Sequence, residues 1–169
     1  MNSEESSALG VGPIGMLISV AVWALLLFLQ QILPLPHVRL SPMWRWVISL
    51  LFLLDGFGTL IWSTFALTSA RQKGALAQTG PYALVRHPMY GAVLWSGTGA
   101  VAFAFQSWLV LLGVIPLHII WGWLVIHEEA DLCRRFGTAY AQYTAETGQF
   151  LPRLASLKKA AQPPDNSAG

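Results

Sequence analysis

Two short runs hold residues whose types could do chemistry together. Residues 80–91 read GPYALVRHPMYG, and their core, Arg86-His87-Pro88, sets a cation, a titratable ring and a helix starter side by side where an apolar run begins. Further on, another apolar run ends in Glu128-Glu129. Acidic residues just beyond the carboxyl end of an apolar helix oppose its dipole and do nothing for membrane orientation. They can form a solvated face balanced by Arg134 and Arg135 one to two turns later. Alternatively, at least one of them faces a covered pocket, pairing with Arg86 or holding a cationic ligand. Glu129, Leu132, Phe136, Tyr140 and Tyr143 recur at offsets of 0, 3, 7, 11 and 14, which is one face of a helix. That periodicity points Glu129 inward. Taken alone, Arg86-His87-Pro88 also fits a proline-started membrane helix with a snorkelling basic anchor.

The elements that must position these residues are membrane helices. The chain has 169 residues, 54% apolar and 11% charged, with a mean hydropathy of +0.53. Such a composition describes an integral membrane protein with room for one compact domain. Residues 14–33, 47–67, 89–105 and 108–126 are each apolar enough to cross a hydrocarbon core, which takes about 17 to 25 helical residues. The expected fold is an all-α polytopic membrane bundle of about four transmembrane helices, the last two a tight hairpin turning at Gln106-Ser107, followed by a cytoplasmic amphipathic helix. Gly137 is placed to bend that last helix, and Gly148 with Pro152 to end it. Folded back over residues 68–90, it would cover a pocket at the membrane surface.

Residues 1–169 are read as a single domain, with 1–10 and 158–169 as mobile polar tails. The first span is expected to be retained, because no Lys or Arg precedes it and Ile32-Leu33-Pro34-Leu35 is no small-residue cleavage site. Arg71, Lys73 and Arg86 in one loop, with Arg134, Arg135, Arg153, Lys158 and Lys159 in the tail, outnumber Arg39 and Arg45 on the other side. The positive-inside preference therefore puts both termini in the cytoplasm.

Other functions find little support. A net charge of +2 is too small for nucleic-acid binding, and the basic residues read as topology signals and lipid-headgroup contacts. The single cysteine, Cys133, excludes an intramolecular disulfide, and the four histidines lack metal-ligand spacing, so no metal site is expected. Asp55, alone in the second span, is either protonated and hydrogen-bonded within the bundle or part of a polar pocket. His118, two residues after Pro116, is expected to bond carbonyls that the proline frees. Trp44, Trp46 and Trp108 suit interfacial belts, whereas Trp62, Trp95, Trp121 and Trp123 suit an apolar groove.

The order of these elements is distinctive: GPYALVRHPMYG opening a span, Gly97-Thr98-Gly99 inside it, then a span ending in Glu128-Glu129 and followed by ADLCRRFGTAYAQYTAETGQFLPRL. It resembles the isoprenylcysteine carboxyl methyltransferase and phospholipid methyltransferase group of membrane enzymes, over residues 79–153. The resemblance implies a methyltransferase with S-adenosylmethionine as methyl donor and S-adenosylhomocysteine as product, the donor bound on the cytoplasmic side within residues 79–153. It implies donor contacts for Gly97, Gly99, Glu128, Glu129, His87 and Tyr90, with Tyr82, Tyr140 and Tyr143 as weaker matches, and catalytic roles for Arg86 and Glu129. The acceptor it implies is a lipophilic small molecule or lipid, first a prenylcysteine-like carboxylate, with a phospholipid amine or a thiol as alternatives. An NADPH-dependent reductase similar to the sterol reductases, and a non-enzymatic membrane scaffold, are the rival readings. Oligomeric state stays open.

Overall fold

The computed structural model describes residues 11–153 and 157. The two expected tails lie outside the described residues, apart from what borders them. Among the described residues the chain is helical, with two isolated bridges and no strand.

Helix α1 (Gly12–Ile32) begins with Pro13 in its first turn, where a missing N–H loses nothing, and ends before the prolines that follow. Helix α2 (Pro42–Gln72) likewise starts on a proline, after Ser41 in extended conformation. At 31 residues it spans about 46 Å, well beyond a hydrocarbon core of about 30 Å. It therefore outruns the 47–67 stretch read from hydropathy, because charged ends such as Arg45 and Arg71 stop an apolar run without stopping a helix. The Arg45 guanidinium lies 5.1 Å from the centre of the Trp46 ring, as an interfacial anchor should.

Both helices are inside out by soluble-protein standards. The buried residues of α1 are Gly15, Ser19 and Gln30, and those of α2 are Ser49, Gly56 and Ser63, while leucines, isoleucines, phenylalanines and tryptophans face outward. Lipid tails are as apolar as leucine, so helices in a bilayer associate through small and hydrogen-bonding residues. Ser19 shows the pattern: its hydroxyl donates to the Gly15 carbonyl at 2.8 Å and accepts from Trp121 Nε1 at 3.0 Å.

A 3₁₀ turn (Gly80–Ala83) precedes a helical run in three parts: α3 (Pro88–Gly91), a π-helical stretch (Ala92–Gly97) and α4 (Thr98–Ala104). After Gln106, whose φ of 53° makes the turn, come α5 (Trp108–Leu112) and α6 (Val114–Leu124). Gln30 braces this end: the Ser107 hydroxyl donates to its carbonyl at 2.6 Å, and its amide nitrogen is 3.1 Å from His37 Nδ1. Leu94, Leu117, Trp121, Val125 and Phe150 form the core. Helix α1 and helix α2 are each long and apolar enough to cross a membrane, and residues 108–124 with the next helix pass the same test only as a pair bent by 41°. The third expected span, 89–105, corresponds to a run that is helical from Pro88 to Ala104 but broken in character by the π stretch.

Helix α7 (Ile126–Phe136) and α8 (Thr138–Glu146) are the expected amphipathic extension, divided at Gly137, whose φ of 53° suits glycine. Tyr140 and Tyr143, at the end of the periodic face, are buried. The chain beyond α8 folds back on the loop before α3, as expected. Arg86 N–H donates to the Gly148 carbonyl at 2.8 Å and His87 N–H to the Gln149 carbonyl at 3.1 Å. The Tyr143 hydroxyl adds a bond to the Tyr82 carbonyl at 2.7 Å.

Candidate functional site

The two runs singled out in the sequence meet. Arg86 comes from the loop before α3, with Pro88 as first residue of that helix. Glu128 and Glu129 sit in the first turn of α7, just past the bend after Val125. There the new helix start favours carboxylates, which answers the objection that they oppose the dipole of the span before them.

Glu129 Oε1 is the hub. Arg86 Nε lies 3.0 Å from it, His87 Nε2 3.1 Å and Gln149 Nε2 3.2 Å. Its second oxygen meets no donor among the described residues. Arg86 is held further by Nη1 donating to the Thr147 carbonyl at 2.6 Å and, more weakly, to that of Thr144 at 3.4 Å. Glu128 Oε2 accepts from the Tyr90 hydroxyl at 2.9 Å, and Glu128 Oε1 lies 4.0 Å from His87 Nδ1. His87 is thus bracketed by the two carboxylates. Side-chain exposure grades outward, from 4% for His87 and 10% for Arg86 to 22% for Glu129 and 34% for Glu128. The acidic side is the one open to a ligand.

Burial works against the charge on Glu129, but hydrogen bonds from His87, Arg86 and Gln149, together with the Arg86 charge, outweigh it and hold the carboxyl down at about 2. Burial pushes the Tyr82 phenol up to about 12, with the Glu128 charge adding to the effect. Burial also raises Tyr140 and Tyr143. All three keep their protons at neutral pH and can donate. The Tyr140 hydroxyl is buried beside the Arg86 guanidinium and finds no acceptor for its own proton among the described residues.

Aromatic rings back the cluster. His87 stacks on Tyr90 with centroids 5.6 Å apart, and Tyr90 on Trp121 at 4.8 Å. Gly15 makes this possible, because a side chain there would collide with the Trp121 ring. Gly97 and Gly99 have their open faces filled from other helices: an added Cβ would lie 2.8 Å from the Trp23 ring and 2.6 Å from that of Phe52. These two glycines bring α1 and α2 close. His118 contacts rings, with centroids 5.3 Å from Phe150 and 6.1 Å from Trp95.

Gln149, Thr147 and Phe150 are the residues that sequence reasoning missed. They follow the end of α8, where Gly148 read as a helix stop, and only the pairing with residues 85–87 gives them a role. Asp55 is hydrogen-bonded within the bundle, the Ser96 hydroxyl donating to it at 2.6 Å, and it also lines a groove. No group of three or more metal-ligating side chains is found among the described residues.

A family model described as phospholipid methyltransferase matches residues 43–139, from the start of α2 into α8. No curated protein and no solved structure matches the chain.

Proposed function

The chain belongs to the phospholipid methyltransferase family, and from that premise we propose that it moves a methyl group from S-adenosylmethionine to a lipophilic acceptor in the membrane. The observation that carries the reading is the half-used carboxylate of Glu129. One oxygen is saturated by Arg86, His87 and Gln149, and the other, beside the more open Glu128, is left for a cation. The donor set fits the ammonium of an amino-acid moiety, and the half-buried Tyr90 ring, backed by the buried Trp121, is a suitable wall for a planar or cationic group.

The donor supplies an electrophilic methyl on a positively charged sulfur. The protein's part is to align, to exclude water and to tolerate the loss of that charge. Glu128 and Glu129 hold the cationic end, while His87 and Gln149 fix the Glu129 carboxylate and Tyr90 that of Glu128. Tyr140 and Tyr82 close the site from α8 and the 3₁₀ turn. Gly97 and Gly99 act one step back, by letting Trp23 and Phe52 pack behind the π-helical stretch. In this reading residues 88–124 enter the bilayer as a hairpin, the bundle has four spans, and the site opens to the cytoplasm with both termini.

For the acceptor, a membrane amine is favoured over a carboxylate. Carboxyl methylation, the first implication of the sequence resemblance, would need Arg86 to orient the acceptor, and Arg86 is engaged by Glu129 and two carbonyls. An acceptor amine needs a base, and His87, between the two carboxylates, stands at hand, whereas Glu129, held at about 2, is too weak a base.

The test pairs binding with turnover. Calorimetry on detergent-purified protein should show saturable S-adenosylhomocysteine binding and none of NADPH. Transfer of a tritiated methyl group should then be measured to phosphatidylethanolamine, farnesylcysteine analogues and small thiols. Saturable NADPH binding without a response to S-adenosylhomocysteine would overturn the proposal.

A further inference from the structure

Beside the Glu129 cluster, α2, residues 81–91 and the π-helical stretch line an open groove of about 320 Å³. It is lined by the polar Asp55, Thr59 and Ser96, by the rings of Trp62 and Trp95, and by Phe150. Three features set it apart from a lipid-filled crevice. Asp55 is a carboxylate well inside a membrane helix, where a charge is expensive and by default functional. Ser96 occupies one oxygen, Oδ2, at 2.6 Å, and the other meets no donor among the described residues.

The second feature is local geometry. Residues 92–97 form a π-helical turn, a rare conformation that is frequent at functional sites, and Trp95 and Ser96 reach the groove from it. Gly56 lets this turn come close, since a Cβ there would sit 3.1 Å from that of Ser96. The third feature is position. Phe150, which lines the groove, lies 5.9 Å from the His87 ring between centroids, so one side chain borders both the groove and the Glu129 cluster.

We propose that this groove is the acceptor subsite and that Asp55 determines its specificity, taking the amine of a lipophilic ligand on its free oxygen. Among the residues lining the groove Asp55 is the only ionisable one, so the groove holds a group that can pair with an amine and no cationic side chain that could pair with a carboxylate. Trp62 and Trp95 add ring faces that attract a cation, and the apolar remainder accepts an alkyl body. Calling the ligand an acceptor rests on the methyltransferase reading, but the recognition chemistry does not.

The experiment uses the full chain in lipid nanodiscs with three photoactivatable probes of equal length: a diazirine-bearing dodecylamine, dodecanol and dodecanoate. Cross-links are mapped by peptide mass spectrometry, and S-adenosylhomocysteine binding is measured in parallel. The amine should label peptides containing Trp62 or Trp95 roughly tenfold more than the carboxylate, and Asp55→Asn should remove that preference while leaving S-adenosylhomocysteine binding unchanged. Equal labelling by all three probes in the wild-type chain would overturn the proposal, and so would an amine preference that survives in a folded Asp55→Asn. The wild-type comparison decides the matter even where the variant fails to fold. An Asp55-dependent amine preference in a chain that ignores S-adenosylhomocysteine would uphold the groove and remove the methyltransferase reading.

Discussion

Arg86 and Glu129 meet at 3.0 Å between the loop that opens α3 and the first turn of α7. The pair closes the far ends of the segment from Pro88 to Val125, so two helical runs and the turn between them are tied at their base. The same guanidinium reaches the Thr147 carbonyl, which adds the chain after α8 to the knot. One arginine thus joins three stretches that the sequence keeps far apart, and it does so where the candidate site opens.

Removing one partner from this mostly buried pair should cost more than the pair contributes. Arg86→Ala strands the Thr147 carbonyl as well as the carboxylate, and should lower stability by about 2–4 kcal/mol. Glu129→Gln keeps shape and should cost less. The double variant should fall short of the sum by about 1 kcal/mol or more, because the two residues touch. Both single variants should lose methyl transfer by about 100-fold or more, since misplacement in the site is that expensive. Thermal unfolding in detergent gives the coupling, and additive single effects would dissolve the knot.

The depressed carboxyl of Glu129 makes a signed prediction about pH. Its folded value of about 2 lies below the ordinary 4.5, so its contribution is present in full above pH 4.5 and is lost as pH falls toward 2. The difference corresponds to at most about 3 kcal/mol. The unfolding midpoint of the wild-type chain should therefore drop between pH 5 and pH 3 by more than that of Glu129→Gln. Parallel curves for the two proteins would show that Glu129 is not the carboxylate responsible.

Much of this site was legible in the sequence, for definite reasons. Arg86, His87 and Glu129 were found because a charged residue at the border of an apolar run is a local contrast. The face from Glu129 to Tyr143 was found because helical periodicity is local too. Gln149 and Thr147 were hidden, because their role comes from a pairing with residues 85–87 that no local pattern encodes. The π-helical turn was hidden for a related reason: its sequence, AVLWSG, is ordinary for a membrane helix, and only packing against Gly56 of α2 accounts for its position. Gly97 and Gly99 were noticed for the right feature, a missing side chain, and the structure fills the space with Trp23 and Phe52.

Two glycines should respond oppositely to the same small change. Gly15→Ala puts a methyl group into the Trp121 ring, which is 1% exposed and has nowhere to go, so a loss of about 1–3 kcal/mol is expected. Because Trp121 stacks on Tyr90, which bonds Glu128, the same change should weaken S-adenosylhomocysteine binding from a distance. Gly58 has nothing within 4 Å of an added Cβ, and Gly58→Ala should be neutral or stabilise by up to about 1 kcal/mol. Unfolding and calorimetry on both variants check the contrast, which fails if Gly15→Ala leaves donor-product binding intact.

Tyr140 separates stability from function most sharply. Its hydroxyl is buried and finds no acceptor for its proton among the described residues, while the Arg86 guanidinium lies close enough to its oxygen to favour the ionised form. A buried donor without an acceptor weakens the folded state by about 1–3 kcal/mol relative to a bonded one. Tyr140→Phe should therefore leave the unfolding midpoint unchanged or raise it, whereas Tyr143→Phe, which loses the bond to the Tyr82 carbonyl, should lower it. If the Tyr140 hydroxyl is kept for a ligand, Tyr140→Phe should also weaken S-adenosylhomocysteine binding by roughly five- to tenfold. A variant that is more stable and binds equally well would assign Tyr140 to packing alone, and a less stable one would mean that the hydroxyl has a partner in the resting protein.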